Sequence, residues 1–217
     1  MNSVAVKKVL VIGIFFIAYV LWQAIGTLSE YYSIYNYPPL HKGPIILFGD
    51  ALAATSSNGF VGILEKRLDL QIEIESSASS TIESTARDAP ARIIERKPSV
   101  VIFYFSDISG QTQLDDARSA LDLREMIRAA QNEGAVTVLL GAAREPAGGE
   151  HERIIKQFAR ETHSLTVLNI LSTITDNPKF WDKNMPNADG NIRIADIIAP
   201  LLEGLAFGMS VMQQAGP

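Results

Sequence analysis

The hydrophobic residues of this chain follow two periods that alternate along the sequence. Short apolar runs, typical of strands buried in a parallel sheet, occur at residues 44–48, 99–105, 135–140 and 165–170. Residues 70–74 alternate between apolar and polar, which also predicts a strand. Between them, apolar residues three and four positions apart predict helices at residues 58–68, 81–96, 114–132, 151–163 and 191–207. Strand and helix alternate five times, which predicts a doubly wound, three-layer α/β domain with a five-stranded parallel sheet.

Polar segments separate the predicted elements. Residues 76–80 are rich in serine and residues 106–113 are polar, so both are predicted as loops. Residues 173–191 are rich in Asp, Asn and Pro and are predicted to be irregular. The α/β domain is therefore predicted to span residues 44–207, followed by a flexible tail at residues 208–217.

The N-terminal segment has a different pattern, because residues 9–28 carry no charge and are apolar on all sides. Roughly 20 apolar residues are needed to cross a bilayer as a helix. Lys7 and Lys8 precede the run and Glu30 follows it. By the positive-inside rule, residues 1–28 are predicted to form a single anchor in the inner membrane, with a cytoplasmic N-terminus and a periplasmic domain.

A cleaved signal peptide is the alternative for this segment, with Ala24 and Gly26 as small residues near a cleavage site. The apolar core of a signal peptide is usually about 7–15 residues, shorter than this run, which favours a retained anchor. Residues 29–43 contain Pro38, Pro39 and several tyrosines. They are predicted to form a stiff membrane-proximal linker.

Composition excludes several function classes. The net charge of −5, with no basic block outside the N-terminus, argues against a nucleic-acid partner. The absence of cysteine excludes disulfides, thiolate metal sites and cysteine nucleophiles. Residues 142–149 contain a glycine pair but no phosphate-loop pattern, so neither a nucleotide nor another cofactor is predicted.

The predicted functional site lies at the end of the first strand, where an apolar run is followed by Gly49-Asp50-Ala51-Leu52. In an open α/β sheet, ligands bind at the carboxyl ends of the central strands. Asp50 is predicted to hold its own turn through hydrogen bonds from backbone N–H groups to its side chain. A cation site made from Asp50, Asp107, Asp182 and Asp189 is the alternative role for this carboxylate.

Residues 45–52 and the helix that follows them resemble the first motif of the SGNH (GDSL) hydrolases, closest to the bacterial thioesterase/lysophospholipase type. The resemblance extends over residues 44–205. In that family the strand is followed by Gly-Asp-Ser-Leu, and the serine attacks an ester while a histidine, oriented by an aspartate, takes its proton. The serine N–H, a glycine N–H and an asparagine side chain hold the oxyanion.

The resemblance implies that this chain has lost the catalytic groups. The serine position falls on Ala51 and the histidine position on Met185, while the aspartate remains as Asp182. The glycine position falls on Ser80, and the asparagine position on Asp107 or on Ser106.

The residue types at these positions cannot support the family's reaction. An alanine methyl group cannot form an acyl-enzyme, and a methionine thioether cannot act as a general base. A carboxylate at Asp107 would repel an oxyanion instead of stabilising it. No catalytic residue is therefore predicted.

Three hypotheses about function remain. The first is a catalytically inactive, membrane-anchored accessory or scaffolding subunit of a larger membrane complex. The second is an esterase or thioesterase with a rearranged site that uses Ser56, Ser57 or Ser109. The third is a module that binds an acyl or glycan ligand without hydrolysing it. The histidines at positions 41, 151 and 163 are predicted to be solvated or to cap helix ends.

Overall fold

The computed structural model describes the following residues: 34–37, 39–40, 42–50, 52, 59–77, 79–105, 117–142, 149–175, 177–182 and 185–215, the last nine as backbone only. The predicted anchor at residues 9–28 lies outside these ranges. Among the described residues, no helix has the length and the apolar character that a bilayer crossing requires.

The secondary structure follows the predicted alternation. The strands of the main sheet are β1 (Ile45–Gly49), β2 (Ile72–Ser76), β3 (Val100–Tyr104), β4 (Val136–Leu140) and β5 (Leu165–Val167). The helices are α1 (Phe60–Leu68), α2 (Ile82–Arg96), α3 (Ala117–Asn132), α4 (Glu150–Glu161) and α5 (Ala188–Ala215). A short ribbon consists of β6 (Trp181–Asp182) and β7 (Met185–Pro186).

The five strands form one parallel sheet, as predicted, and their order in the sheet is β2-β1-β3-β4-β5. β1 lies between β2 and β3, and Gly49 is in register with both Ser76 and Tyr104. The ends of these three strands therefore meet at one side of the sheet, which we call the carboxyl edge. The opposite side, where the strands begin, is the amino edge.

Helices cover both faces of the sheet. Because side chains alternate along a strand, Ile46, Phe48 and Phe103 point to one face, where they pack in a buried cluster with residues of α2, α3 and α4. On the other face α1 packs against α5, and the Tyr104 ring meets Phe60 of α1 edge-on at 5.4 Å between centroids. The sheet therefore has a hydrophobic core on each face, as its continuous apolar strands predict.

Helix α2 shows how local sequence sets its boundaries. Thr81 is the N-cap, and its hydroxyl accepts a hydrogen bond from the Ser84 N–H while the Ser84 side chain accepts one from the Thr81 N–H. Lys97 ends the helix in the left-handed conformation and its N–H donates to the Ile93 carbonyl. These are reciprocal capping bonds, so the helix starts within one residue of the predicted position.

Two predictions about the C-terminal part need correction. Residues 173–191, predicted as irregular, contain the antiparallel ribbon of β6 and β7, which is too short to produce a period-two pattern. Helix α5 continues to Ala215, beyond the predicted helix end at residue 207. Residues 209–215 contain no glycine and no proline, and the Met, Gln and Ala residues among them favour a helix.

The residues before β1 belong to the domain from Tyr35 onward. The Tyr35 N–H donates to the His163 carbonyl at 3.2 Å, and the Leu40 N–H donates to the Gly134 carbonyl at 3.2 Å. The Asn36 side-chain amide donates to the carbonyl of Gln131 at 2.7 Å. We call the described residues 35–37 and 39–40 the strap. The strap lies at the amino edge, so this part of the predicted linker is held against the domain.

Candidate functional site

The turn after β1 is built around Asp50. The Asp50 N–H donates to the Tyr104 carbonyl at 3.2 Å, which extends the β1–β3 pairing by one residue. The Asp50 Oδ1 atom accepts a hydrogen bond from the Leu52 N–H at 3.0 Å. The side chain is buried, at 8% exposure. The prediction that Asp50 holds its own turn is confirmed, while Ala51 between these residues lies outside the described residues.

Tyr104 is a polar residue of the site that the sequence pattern did not reveal. It ends β3 beside Gly49, and its side chain is fully buried. The hydroxyl forms no hydrogen bond within the described structure. Burial, and then the nearby Asp50 carboxylate, raise the pKa of Tyr104 well above its ordinary value. The phenol therefore stays protonated and remains a potential hydrogen-bond donor.

The serine-rich loop after β2 forms a closed hydrogen-bonded turn. The Ser80 N–H donates to the Ser77 carbonyl at 3.1 Å, and the Ser80 Oγ accepts from the Ser77 N–H at 2.9 Å. The Ser77 and Ser80 hydroxyls are also 2.9 Å apart. Both the amide and the hydroxyl of Ser80 are thus engaged within the turn.

A cavity of about 340 Å³ lies beside this turn at the carboxyl edge. Five serines line it together with Thr85, Asp88 and Arg92. Arg92 forms an ion pair with Glu75, so its charge is balanced within the lining. The Ser76 Oγ atom is buried without a hydrogen-bond partner among the described residues. The cavity is therefore hydroxyl-rich and not cationic, which suits a neutral polar ligand better than an anion.

Asp182 and Met185 lie opposite each other in the β6–β7 ribbon. Asp182 is exposed and Met185 is partly buried. The ribbon is tied down by Asn187, whose N–H donates to the Phe180 carbonyl at 3.0 Å and whose side-chain amide donates to the Lys179 carbonyl at 2.8 Å. The structure therefore pairs these two predicted positions directly.

Asn191 connects the ribbon to the first helix. Its side-chain oxygen accepts a hydrogen bond from the Phe60 N–H at 3.0 Å, at the start of α1. Its side-chain nitrogen donates to the carbonyl of Pro186 at 3.1 Å. Because the Phe60 ring meets Tyr104, the end of β3, the start of α1 and the ribbon converge at one place.

Comparison with known proteins identifies the architecture. No protein-family model matches the chain. Esterase TesA of Pseudomonas aeruginosa is 29% identical over 125 residues, which are 54% of this chain and 61% of TesA. A crystal structure of TesA superimposes with a TM-score of 0.65 at 22% identity, over 75% of this chain and 99% of that one.

A protein of Slackia heliotrinireducens described as an SGNH hydrolase superimposes with a TM-score of 0.61 at 14% identity, over 75% of this chain and all of its own. The chain has the SGNH hydrolase fold. The fold that the resemblance over residues 44–205 implies is thereby confirmed. The sequence match spans less than two thirds of TesA, and esterase activity is a property of TesA itself.

Two of the three histidines, His151 and His163, are among the described residues. His151 was predicted to be solvated or capping, and this is wrong, because it is 5% exposed. It shares the inward face of α4 with Ile155 and Phe158, at the helical spacing of four and three residues. His163 follows α4 in the left-handed conformation, and its ring lies against that of Tyr35 at the amino edge, with the centroids 4.4 Å apart and the planes tilted by 35°.

Several sequence-predicted residues lie outside the described residues. They are Ala51, His41, Ser56, Ser57, Ser106, Asp107 and Ser109. Of the four aspartates considered for a cation, three are described: Asp50, Asp182 and Asp189. Within the described part of the chain, no group of acidic or histidine side chains is arranged to hold a metal ion.

Proposed function

We propose that this chain is a catalytically inactive SGNH-fold protein that serves as an accessory or scaffolding subunit of a membrane complex. Residues 9–28 would anchor it in the inner membrane and the α/β domain would lie in the periplasm. The observation that carries this proposal is the residue pair at the β6–β7 ribbon. Met185 occupies the position opposite Asp182 where the hydrolase resemblance requires a histidine.

Two features of the carboxyl edge support the proposal. An oxyanion hole needs N–H groups that are free to donate to the transition state. The Ser80 N–H already donates to the Ser77 carbonyl at 3.1 Å. The Asp50 carboxylate already accepts from the Leu52 N–H, as a structural turn residue does. At both positions, polar groups are therefore used in hydrogen bonds within their own turns.

The test is hydrolysis of short acyl esters and acyl thioesters by the full-length protein in detergent, together with labelling by a fluorophosphonate probe. We expect neither turnover nor labelling, because alanine and methionine offer no nucleophile or base. Turnover or labelling that disappears in the Ser56→Ala, Ser57→Ala or Ser109→Ala variant would establish the rearranged esterase instead.

A gain-of-function variant tests the same assignment by restoring the missing groups. In the double variant Ala51→Ser with Met185→His, we expect fluorophosphonate labelling at position 51, because Asp182 is already opposite the new histidine. The single variant Ala51→Ser is the matched control and should label much more slowly. If the double variant labels no faster than the single variant, positions 51 and 185 are not the former catalytic pair.

A non-hydrolysing binding module is the second candidate, and the cavity of about 340 Å³ favours it. Its hydroxyl-rich lining suits a neutral glycan or the polar end of an acyl ligand. Ligand binding that is lost in the Asp88→Asn variant, with complex assembly unchanged, would favour the module. If neither the natural chain nor the Asp88→Asn variant binds such a ligand, while membrane subunits co-purify with both, the result would favour the scaffold.

A further inference from the structure

The amino edge of the domain carries an unusual set of exposed side chains on the strap. Tyr35 is 52% exposed, Tyr37 is 45% exposed and Leu40 is 68% exposed. Few other large apolar side chains of the described residues are this exposed; those on helices are Ile94, Leu121 and Ile192. Because the strap carries three such residues within six positions, they form one amphipathic surface. A single exposed apolar residue on a helix does not form such a surface.

The strap is held rigidly enough for this exposure to be a property of the fold. Its backbone donates to the carbonyls of His163 and Gly134, and the Asn36 side chain donates to those of Gln131 and Ala135 at 2.7 and 3.1 Å. These acceptors immediately precede β4 and β5, at the start of the strands. The surface therefore has a fixed place at the amino edge.

We propose that this strap surface is where the domain meets the lipid headgroups, so that the carboxyl edge points away from the bilayer. The inference rests on the proposed anchor at residues 9–28. Six residues lie between Leu28 and Tyr35, and a fully extended chain from one to the other spans at most about 25 Å. The strap is thus the part of the domain that the covalent chain holds nearest to the membrane.

The chemistry of the surface fits a bilayer interface. Tyrosine rings are amphipathic and favour the headgroup region, and an exposed leucine gains by leaving water there. Electrostatic attraction to charged lipids would not drive this contact, because the exposed charges at this edge are of both signs. Lys42 and Arg128 are exposed at this edge, but so are Asp69 and Glu161. The surface is therefore suited to the polar-apolar boundary of lipids of either charge.

This orientation determines what can reach the candidate site. The five residues of β1 advance roughly 16 Å from the amino edge to the carboxyl edge. The carboxyl edge, with the serine-lined cavity, would then face the aqueous side. A ligand or partner of this site would come from the periplasm and not from lipids of the same membrane.

The absence of cysteine permits a direct test, because a single introduced cysteine labels one position only. The Tyr37→Cys and Asp182→Cys variants of the full-length chain would each carry a fluorophore, in vesicles of phosphatidylcholine and phosphatidylglycerol. A fraction of the phosphatidylcholine would bear a nitroxide on its headgroup. We expect the label at position 37 to be quenched several-fold more strongly than the label at position 182.

The Leu121→Cys variant is the matched control, since Leu121 is a 59% exposed apolar residue on α3 and not on the strap. Its label should be quenched less than the label at position 37. Equal quenching at positions 37, 121 and 182, or stronger quenching at 182, would overturn the orientation. Leu40→Cys provides a second strap position should Tyr37→Cys lower the thermal stability.

Flotation of the vesicles separates this proposal from the one on which it rests. If the full-length chain does not float with the vesicles, the anchor is refuted and the orientation falls with it. If the chain floats but the strap label is not quenched, the anchor stands and the orientation alone is refuted.

Discussion

The two edges of the sheet use polar groups in different ways. At the amino edge, buried hydroxyls are linked in one network. The Thr137 hydroxyl is 2.7 Å from that of Ser164 and accepts from the Gln131 side chain at 3.2 Å, and Gln131 also donates to the Thr162 carbonyl at 2.6 Å. At the carboxyl edge, the Tyr104 hydroxyl is buried without a partner in the described structure.

The amino-edge hydroxyls bond to one another and so stabilise the fold, whereas a buried hydroxyl without a partner could still form a hydrogen bond with a ligand. A buried hydroxyl with no hydrogen bond costs stability, so an edge selected for stability alone would not retain it. The amino edge buries one such atom in the described residues, the Nδ1 of His163, whose ring lies against that of Tyr35. The carboxyl edge keeps the Ser76 hydroxyl beside the serine-lined cavity and the Tyr104 hydroxyl near the Asp50 turn.

The largest predicted effect tests how tightly each edge is packed. A Cβ atom at Gly43, at the amino edge, would lie 1.8 Å from the Lys97 carbonyl oxygen, and one at Gly190 would lie 2.1 Å from the Phe180 carbonyl oxygen. Because backbone must move in both cases, we expect Gly43→Ala to cost about 3 kcal/mol of unfolding free energy. Gly190→Ala should cost less, since the ribbon can shift by itself.

Urea unfolding of the full-length protein in detergent, followed by circular dichroism, measures both variants. Gly204→Ala is the matched control, because no atom lies within 4 Å of its Cβ position and alanine favours a helix. It should be neutral or stabilising by up to about 1 kcal/mol. A Gly190→Ala variant that loses more stability than Gly43→Ala would show that the carboxyl edge is the more rigid of the two.

A pair of single-atom changes tests the hydrogen bonding of the edges directly. Thr137→Val removes the hydroxyl that links Ser164 and Gln131, and should cost about 1–3 kcal/mol because both partners stay buried. Tyr104→Phe removes a hydroxyl with no partner among the described residues, and should be neutral or slightly stabilising at pH 7. The same urea titration compares them. Equal losses would mean that the Tyr104 hydroxyl is bonded and that the edges do not differ.

The sequence predicts the architecture because burial and periodicity are local signals. β1, β3 and β4 are buried on both faces, and their uninterrupted apolar runs follow from that. The capping residue Thr81 likewise marks the start of α2 within the sequence itself. The spacing of four residues between His151 and Ile155 also indicates that His151 faces inward, although a position at a helix end favours a solvated histidine.

The parts that could not be predicted depend on contacts between distant segments. The strap is held by carbonyls some 95 residues or more away, such as that of Gln131 bound by Asn36. Asn191 bonds the Phe60 N–H across 131 positions. Tyr104 looks like one more apolar residue in a strand until its neighbours Asp50 and Phe60 are placed. Sequence periodicity contains no information about such partners, so the polar details of the site emerge only from the fold.

The smallest predicted effect is a loss of unfolding free energy caused by Tyr104, which is absent at neutral pH and appears only at alkaline pH. The pKa of Tyr104 is raised in the folded protein, first by burial and then by Asp50, above the ordinary value of 10.0 that it regains on unfolding. Above that pH the unfolded chain loses the phenolic proton while the folded chain keeps it. Since the unfolded state then binds fewer protons, stability must fall as pH rises, by at most about 1.4 kcal/mol per pH unit.

Urea unfolding at pH 8 and at pH 11 measures this fall, with Tyr104→Phe as the comparison because it lacks the titrating group. We expect the natural chain to lose about 1 kcal/mol more than the variant between these two pH values. The amino-edge variant Thr137→Val should keep the natural pH dependence, since it removes no titrating group. An identical alkaline loss in the natural chain and in Tyr104→Phe would mean that the phenol ionises equally in both states. Tyr104 would then be in contact with water, and the carboxyl edge would hold no buried donor for a ligand.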